Sequence, residues 1–211
     1  MIVSTMWTAI TSLGDSAILL PLIAWIAICL LLPPPYWRDA RRWLIAVALC
    51  GGSVVLSKLL FMAWGIGPPG LNYTGFSGHT ALAILVWPSL AGVLARDAKP
   101  HLRASVIALG ALIGVGVGIS RCVLKVHSQS EVWLGAILGA ALVAWFLLGL
   151  ARSETMPHNR HTWRLAALGV GAIAIGWVCY GRVFPSQHLL QDIVPWLSGH
   201  PAIFTRRVQL D

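Results

Sequence analysis

Apolar residues along this chain gather into six runs, at about residues 17–32, 44–64, 77–95, 104–120, 132–150 and 165–180. Most positions within each run are apolar or small. Almost no polar face is left for water, as in helices surrounded on all sides by lipid or protein. About 20 such residues span a bilayer as a helix, and several of these runs fall a little short. The breaks are readable too. Pro33-Pro34-Pro35 ends the first run, because consecutive prolines cannot continue a helix, and Pro88 is expected to kink the third. Residues 1–14 are mixed and uncharged and read as a short interfacial segment, followed by a retained first helix rather than a cleaved signal. The tail, residues 181–211, is mixed, with an amphipathic piece around 188–196. The expectation is an all-α polytopic membrane protein with six transmembrane helices. It forms a single domain over residues 1–211, with its core at about 16–180.

Composition agrees and removes other classes. The chain has 211 residues, 57% of them hydrophobic and 10% charged, with a mean hydropathy of +0.78. That leaves no separate water-soluble domain. A net charge of +8 raises a nucleic-acid partner, but the basic residues sit in short loops between apolar runs, as in cytoplasmic membrane loops. No nucleic acid is expected. Cys29, Cys50, Cys122 and Cys179 lack pair spacing, which speaks against a disulfide scaffold or a zinc knuckle.

The charges also orient the chain. Arg38, Arg41 and Arg42, then Arg96, Lys99 and Arg103, then Arg152, Arg160 and Arg164 follow runs one, three and five, nine of the fifteen Lys and Arg residues. Lys58, Arg121, Lys125, Arg182, Arg206 and Arg207 fall on the other side. The positive-inside rule puts the three basic loops in the cytoplasm. Both termini and the opposite face then look outward from the cytoplasmic (inner) membrane, to the periplasm or cell exterior. Gly110, Gly114 and Gly118 recur every four residues, as do Gly135 and Gly139. This fits closely packed helices, or simply the ordinary glycine content of membrane helices.

Candidate chemistry collects on that outward face. Lys58 lies near the outer end of run two, Ser77-Gly78-His79 opens run three, Arg121 ends run four, and His127 and Glu131 open run five. Hydrophobicity does not require this coincidence, and ionisable groups at a membrane boundary cost free energy. If run five is helical from about His127, then His127 and Glu131 share one face. A carboxylate there fixes one imidazole nitrogen and frees the other as base or nucleophile. Ser77 suits an N-cap, and the amides after it suit an anion. Arg121, Lys125 and Lys58 add positive charge, so the face suits a phosphate. Three other readings stay open: a snorkelling Lys58, a structural His127–Glu131 pair, and a divalent metal on His127, Glu131 and His79. Against metal stand Lys58 and Arg121, which repel a cation, so no metal and no cofactor are expected.

These residues resemble the type 2 phosphatidic acid phosphatase superfamily, which includes membrane lipid phosphatases and vanadium haloperoxidases. Its pattern is Lys-x6-Arg-Pro, then Pro-Ser-Gly-His, then Ser-Arg-x5-His-x3-Asp. This chain has Phe76-Ser77-Gly78-His79, then Ser120-Arg121, five residues, His127, three residues and Glu131. The resemblance covers about residues 58–140. It implies metal-independent cleavage of a phosphoester or phosphoanhydride through a phosphohistidine. His127 would be the nucleophile, His79 the general acid and Glu131 the orienting carboxylate, with Lys58, Ser77, Gly78 and Arg121 holding phosphoryl oxygens. Three departures stand out. Gly65-Ile66 occupies the place of Arg-Pro and lacks that phosphate clamp, Glu131 replaces aspartate, and Phe76 replaces proline. Lys125, inside the five-residue gap, is the expected source of replacement charge.

The chain is thus expected to hydrolyse a lipid phosphate or diphosphate, of polyprenyl diphosphate, phosphatidic acid, phosphatidylglycerol phosphate or lipid A type. A phosphotransferase using the same site is the nearest alternative. An impaired lipid-binding or transport protein is a more distant one, favoured by the missing arginine. Sequence does not fix the oligomeric state.

Overall fold

The structure, a computed structural model, describes residues 2–32, 36–153, 162–199 and 203–205. Pro33, Pro34, Pro35, Arg160, Arg206 and Arg207 lie outside the described residues. Among those described, every regular element is a helix: α1 (Ile2–Ser12), α2 (Ser16–Leu31), α3 (Trp37–Trp64), α4 (Gly78–Leu94), α5 (Pro100–Val123), α6 (Gln129–Ala151), α7 (Thr162–Cys179) and α8 (Ser186–Ser198). Four stretches are long and apolar enough to cross a membrane: Thr5–Leu31, Trp37–Trp64, Pro100–Val123 and Gln129–Ala151. Gly78–Leu94 and Trp163–Cys179 are apolar but shorter.

Two boundaries differ from the sequence expectation. Residues 2–12 form a helix laid against α5, and the first long apolar stretch takes in both α1 and α2. Between them the chain turns at Gly14, whose missing side chain admits Val117 and the Cβ of His79, and Asp15 caps α2 by accepting the Ala17 N–H at 2.8 Å. Helix α3 begins at Trp37, so Arg38, Arg41 and Arg42 lie in its first turns rather than in a loop. Asp39 makes this early start favourable: it sits in the first turn, where the helix dipole suits a carboxylate, and pairs with Arg96 at 2.8 Å.

Helix α4 is the central post, gripped by α5 and α6. A Cβ on Gly110 would stand 2.7 Å from the Trp87 carbonyl oxygen, and one on Gly114 would stand 2.9 Å from the Ile84 Cα. On the other side, a Cβ on Gly135 would stand 2.7 Å from the Ser77 oxygen, and one on Gly139 would stand 2.6 Å from the Ala81 oxygen. Both glycine series therefore serve backbone-to-backbone packing on α4. The core between α2, α3, α4 and α6 is filled by Leu22, Ile26, Trp43, Leu85 and Phe146, with Trp43 and Phe146 tilted at 5.4 Å. Helix α8 rests on the C-terminal end of α3 through Val194, Met62 and Ala63.

The packing predicts that Gly139→Ala forces α6 away from α4 and lowers stability by about 1–3 kcal/mol. The check is thermal unfolding in detergent, with Gly176→Ala, whose Cβ would meet nothing within 4 Å, expected to melt like the parent.

Candidate active site

Helix α5 ends with Lys125 in the left-handed conformation, at φ 55°. That reversal folds the chain back, so that the Arg121 carbonyl accepts the N–H groups of both Val126 (3.2 Å) and His127 (3.3 Å). The geometry places His127 beside the end of α5, while the Lys125 side chain points away, exposed and outside the cavity lining. Lys125 contributes a turn here and is not brought to the other cations.

His127 is not in α6. It precedes the N-cap residue Ser128, and the expected face shared with Glu131 is replaced by a capping box. The Ser128 hydroxyl accepts the Glu131 N–H at 3.3 Å, and the Glu131 carboxylate accepts the Ser128 N–H at 3.0 Å. The same carboxylate oxygen lies 2.7 Å from His127 Nδ1. Its other oxygen accepts the N–H and the hydroxyl of Thr74, at 2.7 and 2.6 Å. Glu131 is fully buried, and this set of donors is what makes a carboxylate tenable there. With Nδ1 held, His127 presents Nε2 as its unheld nitrogen. Burial pushes the His127 imidazole below its ordinary 6.5; hydrogen bonding and charge from Glu131 pull the other way, and the nearby Arg121 and Lys58 add to the lowering.

Ser77 occupies the N-cap position of α4 but does not cap with its side chain. Its hydroxyl is 2.9 Å from the Thr80 hydroxyl, and its N–H donates to the Glu131 carbonyl at 3.1 Å. Ser77 is completely buried and does not line the cavity; it joins the start of α4 to the start of α6. Gly78 and His79 do line it, and as the first residues of α4 their N–H groups have no partner within the helix.

The cavity, of about 840 Å³, brings together Lys58, Gly78, His79, Arg121 and His127. Glu131 stands behind His127 and does not face the cavity. Arg121 donates to the Thr11 hydroxyl at 3.1 Å, and Lys58 Nζ donates to the Gln187 side-chain oxygen at 2.8 Å. Leu20, Val54, Val55 and Leu82 form part of an apolar wall, of which Leu20 and Val55 are exposed. At residues 65–66 the structure offers no cation: Gly65 is the left-handed cap of α3, packed under Phe204, and Ile66 is exposed. Among the described residues no group of three His, Cys, Asp or Glu side chains is arranged to hold a metal ion.

Several residues at the cavity carry no sequence signal of their own. Thr11 comes from the end of α1, Asp15 from the α1–α2 turn, Arg182 from the segment after α7 and Gln187 from the start of α8. Asp15 reads in sequence as a helix-flanking residue, and it does cap α2. Its second oxygen, however, lies 3.5 Å from His79 Nε2. Asn72 and Tyr73 brace the loop before α4. The Asn72 carbonyl accepts the hydroxyls of Ser128 and Ser130, and Tyr73 packs edge-on against Phe76.

A family model described as the PAP2 superfamily matches residues 66–155. A protein of 22.5 kDa encoded in the cps region of Klebsiella pneumoniae, itself uncharacterized, is 36% identical over 201 residues, covering 95% of each chain. Phosphatidylglycerophosphatase B of Bacillus subtilis is 33% identical over 152 residues, 67% of this chain and 71% of that protein. No solved structure matches. With the family matched through the segment that carries Ser77, Gly78, His79, Arg121, His127 and Glu131, the chain belongs to the PAP2 superfamily.

Proposed function

We propose that this protein is an integral membrane phosphatase that hydrolyses a lipid phosphate or diphosphate through a phosphohistidine. The observation that carries this reading is the held imidazole. Glu131 fixes Nδ1 of His127 from the protein side, and His127 lines a cavity shared with His79, Lys58 and Arg121. Family membership and the likeness to a phosphatidylglycerophosphatase support the same chemistry.

The roles follow from charge and position. Lys58, Arg121 and the N–H groups of Gly78 and His79 hold the non-bridging phosphoryl oxygens. His127 Nε2 attacks phosphorus; the N–P bond forms as the bond to the leaving oxygen breaks, and His79 gives that oxygen its proton. A water then attacks the phosphohistidine, returning a proton to His79 and releasing phosphate. No step draws on a metal. Ser77 and Lys125 act here by shaping α4 and the turn before His127 rather than by touching phosphate. The apolar wall of the cavity favours a lipid over a soluble ester.

In this reading the four long apolar stretches and the two shorter helices make six spans of one domain. The charge bias supports an inner-membrane location with the site on the periplasmic or exterior side.

Purified protein in detergent is expected to release phosphate from at least one member of a panel of lipid phosphates and diphosphates. His127→Ala should lose at least about a thousandfold in kcat/KM and the acid-labile phosphoenzyme with it. Full activity in that variant would overturn the phosphohistidine. The pH dependence has a definite sign. Since His127 is held below 6.5 and must be neutral to attack, the acidic limb of kcat/KM should lie at a pH under 6.5, while loss of the His79 proton sets a separate alkaline limb. Glu131→Gln removes the group that raises the His127 pKa. It should move that acidic limb to lower pH and reduce kcat by about 10²–10⁴, as when an orienting carboxylate is neutralised.

A further inference from the structure

Among the described residues, Asp15 is the one acidic residue that lines the cavity. It is buried, and its two oxygens are divided between different tasks. Oδ1 accepts the N–H of Ala17 at 2.8 Å and the N–H of Phe184 at 3.0 Å, tying the α2 cap to the segment after α7. Oδ2 takes part in neither of those bonds and faces His79 Nε2 at 3.5 Å. Capping alone would leave Oδ2 without a purpose inside a cavity that otherwise collects cations. Gly14, just before it, lets α5 pack tightly against this turn, because a Cβ there would stand 2.4 Å from Val117 Cγ1.

We infer that Asp15 is a positioning residue for His79, holding Nε2–H so that Nδ1 carries the proton delivered to the leaving oxygen. This inference rests on the phosphatase reading above. A carboxylate beside Nε2 favours the Nε2–H tautomer and stabilises the imidazolium. As His127 Nε2 bonds to phosphorus and the bond to the leaving oxygen breaks, the Nδ1 proton passes to that oxygen. His79 is left neutral, with Nε2–H still on Asp15. Water attack then returns a proton to Nδ1. The other charges facing His79 are Arg121 of α5 and Lys58 of α3, both positive, so Asp15 is what offsets them.

Asp15→Asn tests this with little structural change. The asparagine oxygen can keep both backbone bonds, which fixes its amide N–H₂ toward His79 and makes Nε2 an acceptor. The histidine is driven to the Nδ1–H tautomer, and a second proton at Nε2 is opposed. The expected result is a fall of about 30-fold or more in kcat for phosphatidic acid, whose alkoxide must be protonated to leave, with KM nearly unchanged. With p-nitrophenyl phosphate, whose leaving group needs little help, the fall should be under about threefold. In a His79→Asn background, adding Asp15→Asn should change phosphatidic acid turnover no further. Nitrogen-15 NMR of histidine-labelled protein should show His79 changing tautomer in Asp15→Asn. An equal loss with both substrates, additive effects in the double variant or an unchanged His79 tautomer would each overturn the role of Asp15. They would leave the phosphatase reading intact so long as the parent protein releases phosphate. No release by the parent from any lipid phosphate would overturn both.

Discussion

The buried carboxylate of Glu131 is the constraint on which the site end of this protein depends. An ionised group without solvent must be surrounded by donors, and here they come from three separate places: Thr74 in the loop before α4, Ser128 at the cap of α6, and His127. One carboxylate therefore fixes the loop, starts the helix and holds the imidazole. Its backbone carbonyl adds a fourth attachment by accepting the Ser77 N–H at the head of α4. The replacement of the family aspartate gains a physical reason from this. The third helical position of a capping box calls for a side chain long enough to reach back to the N-cap amide, and glutamate has that length.

A second cluster secures the other ends of the same helices. Asp39 of α3 pairs with the buried Arg96 just beyond α4, and Tyr36 packs against the guanidinium groups of both Arg96 and Arg164, at 4.6 and 5.1 Å. Arg42 donates to the Gly149 carbonyl near the end of α6. Between these two polar ends, glycines bring α5 and α6 onto α4 without intervening side chains. Helices clamped at both ends and in close contact between them keep the cations and imidazoles at fixed separations, which phosphoryl chemistry requires.

Much of this was legible in the sequence, and the reason it was legible is locality. The apolar runs give the helices, and the spacing from Ser120 through Glu131 brings His127 and Glu131 together because the linking chain is only a few residues long. What sequence misplaced depends on turn geometry. The left-handed backbone at Lys125 and the capping box at Ser128 put His127 ahead of the helix instead of inside it. Ser77 looked like an oxygen for phosphate, yet its hydroxyl and amide are both engaged inside the fold. Asp15, Arg182 and Gln187 were out of reach for a different reason. Their contacts cross from one end of the chain to the other, as in the Asp15–Phe184 bond, and no local pattern announces such a pairing.

The wall of the cavity has a thermodynamic consequence. Leu20 of α2 and Val55 of α3 line the chamber with exposed apolar surface, so its wall can receive hydrocarbon beside a polar group. Pulling an acyl chain out of a bilayer costs about 0.8 kcal/mol for every methylene, a total that grows to many kcal/mol for an ordinary tail. A molecule whose polar end enters this chamber while its tail rests on apolar surface such as Leu20 and Val55 avoids most of that cost. Binding then needs to offset only the dehydration of the polar end, and a few charged side chains suffice for that.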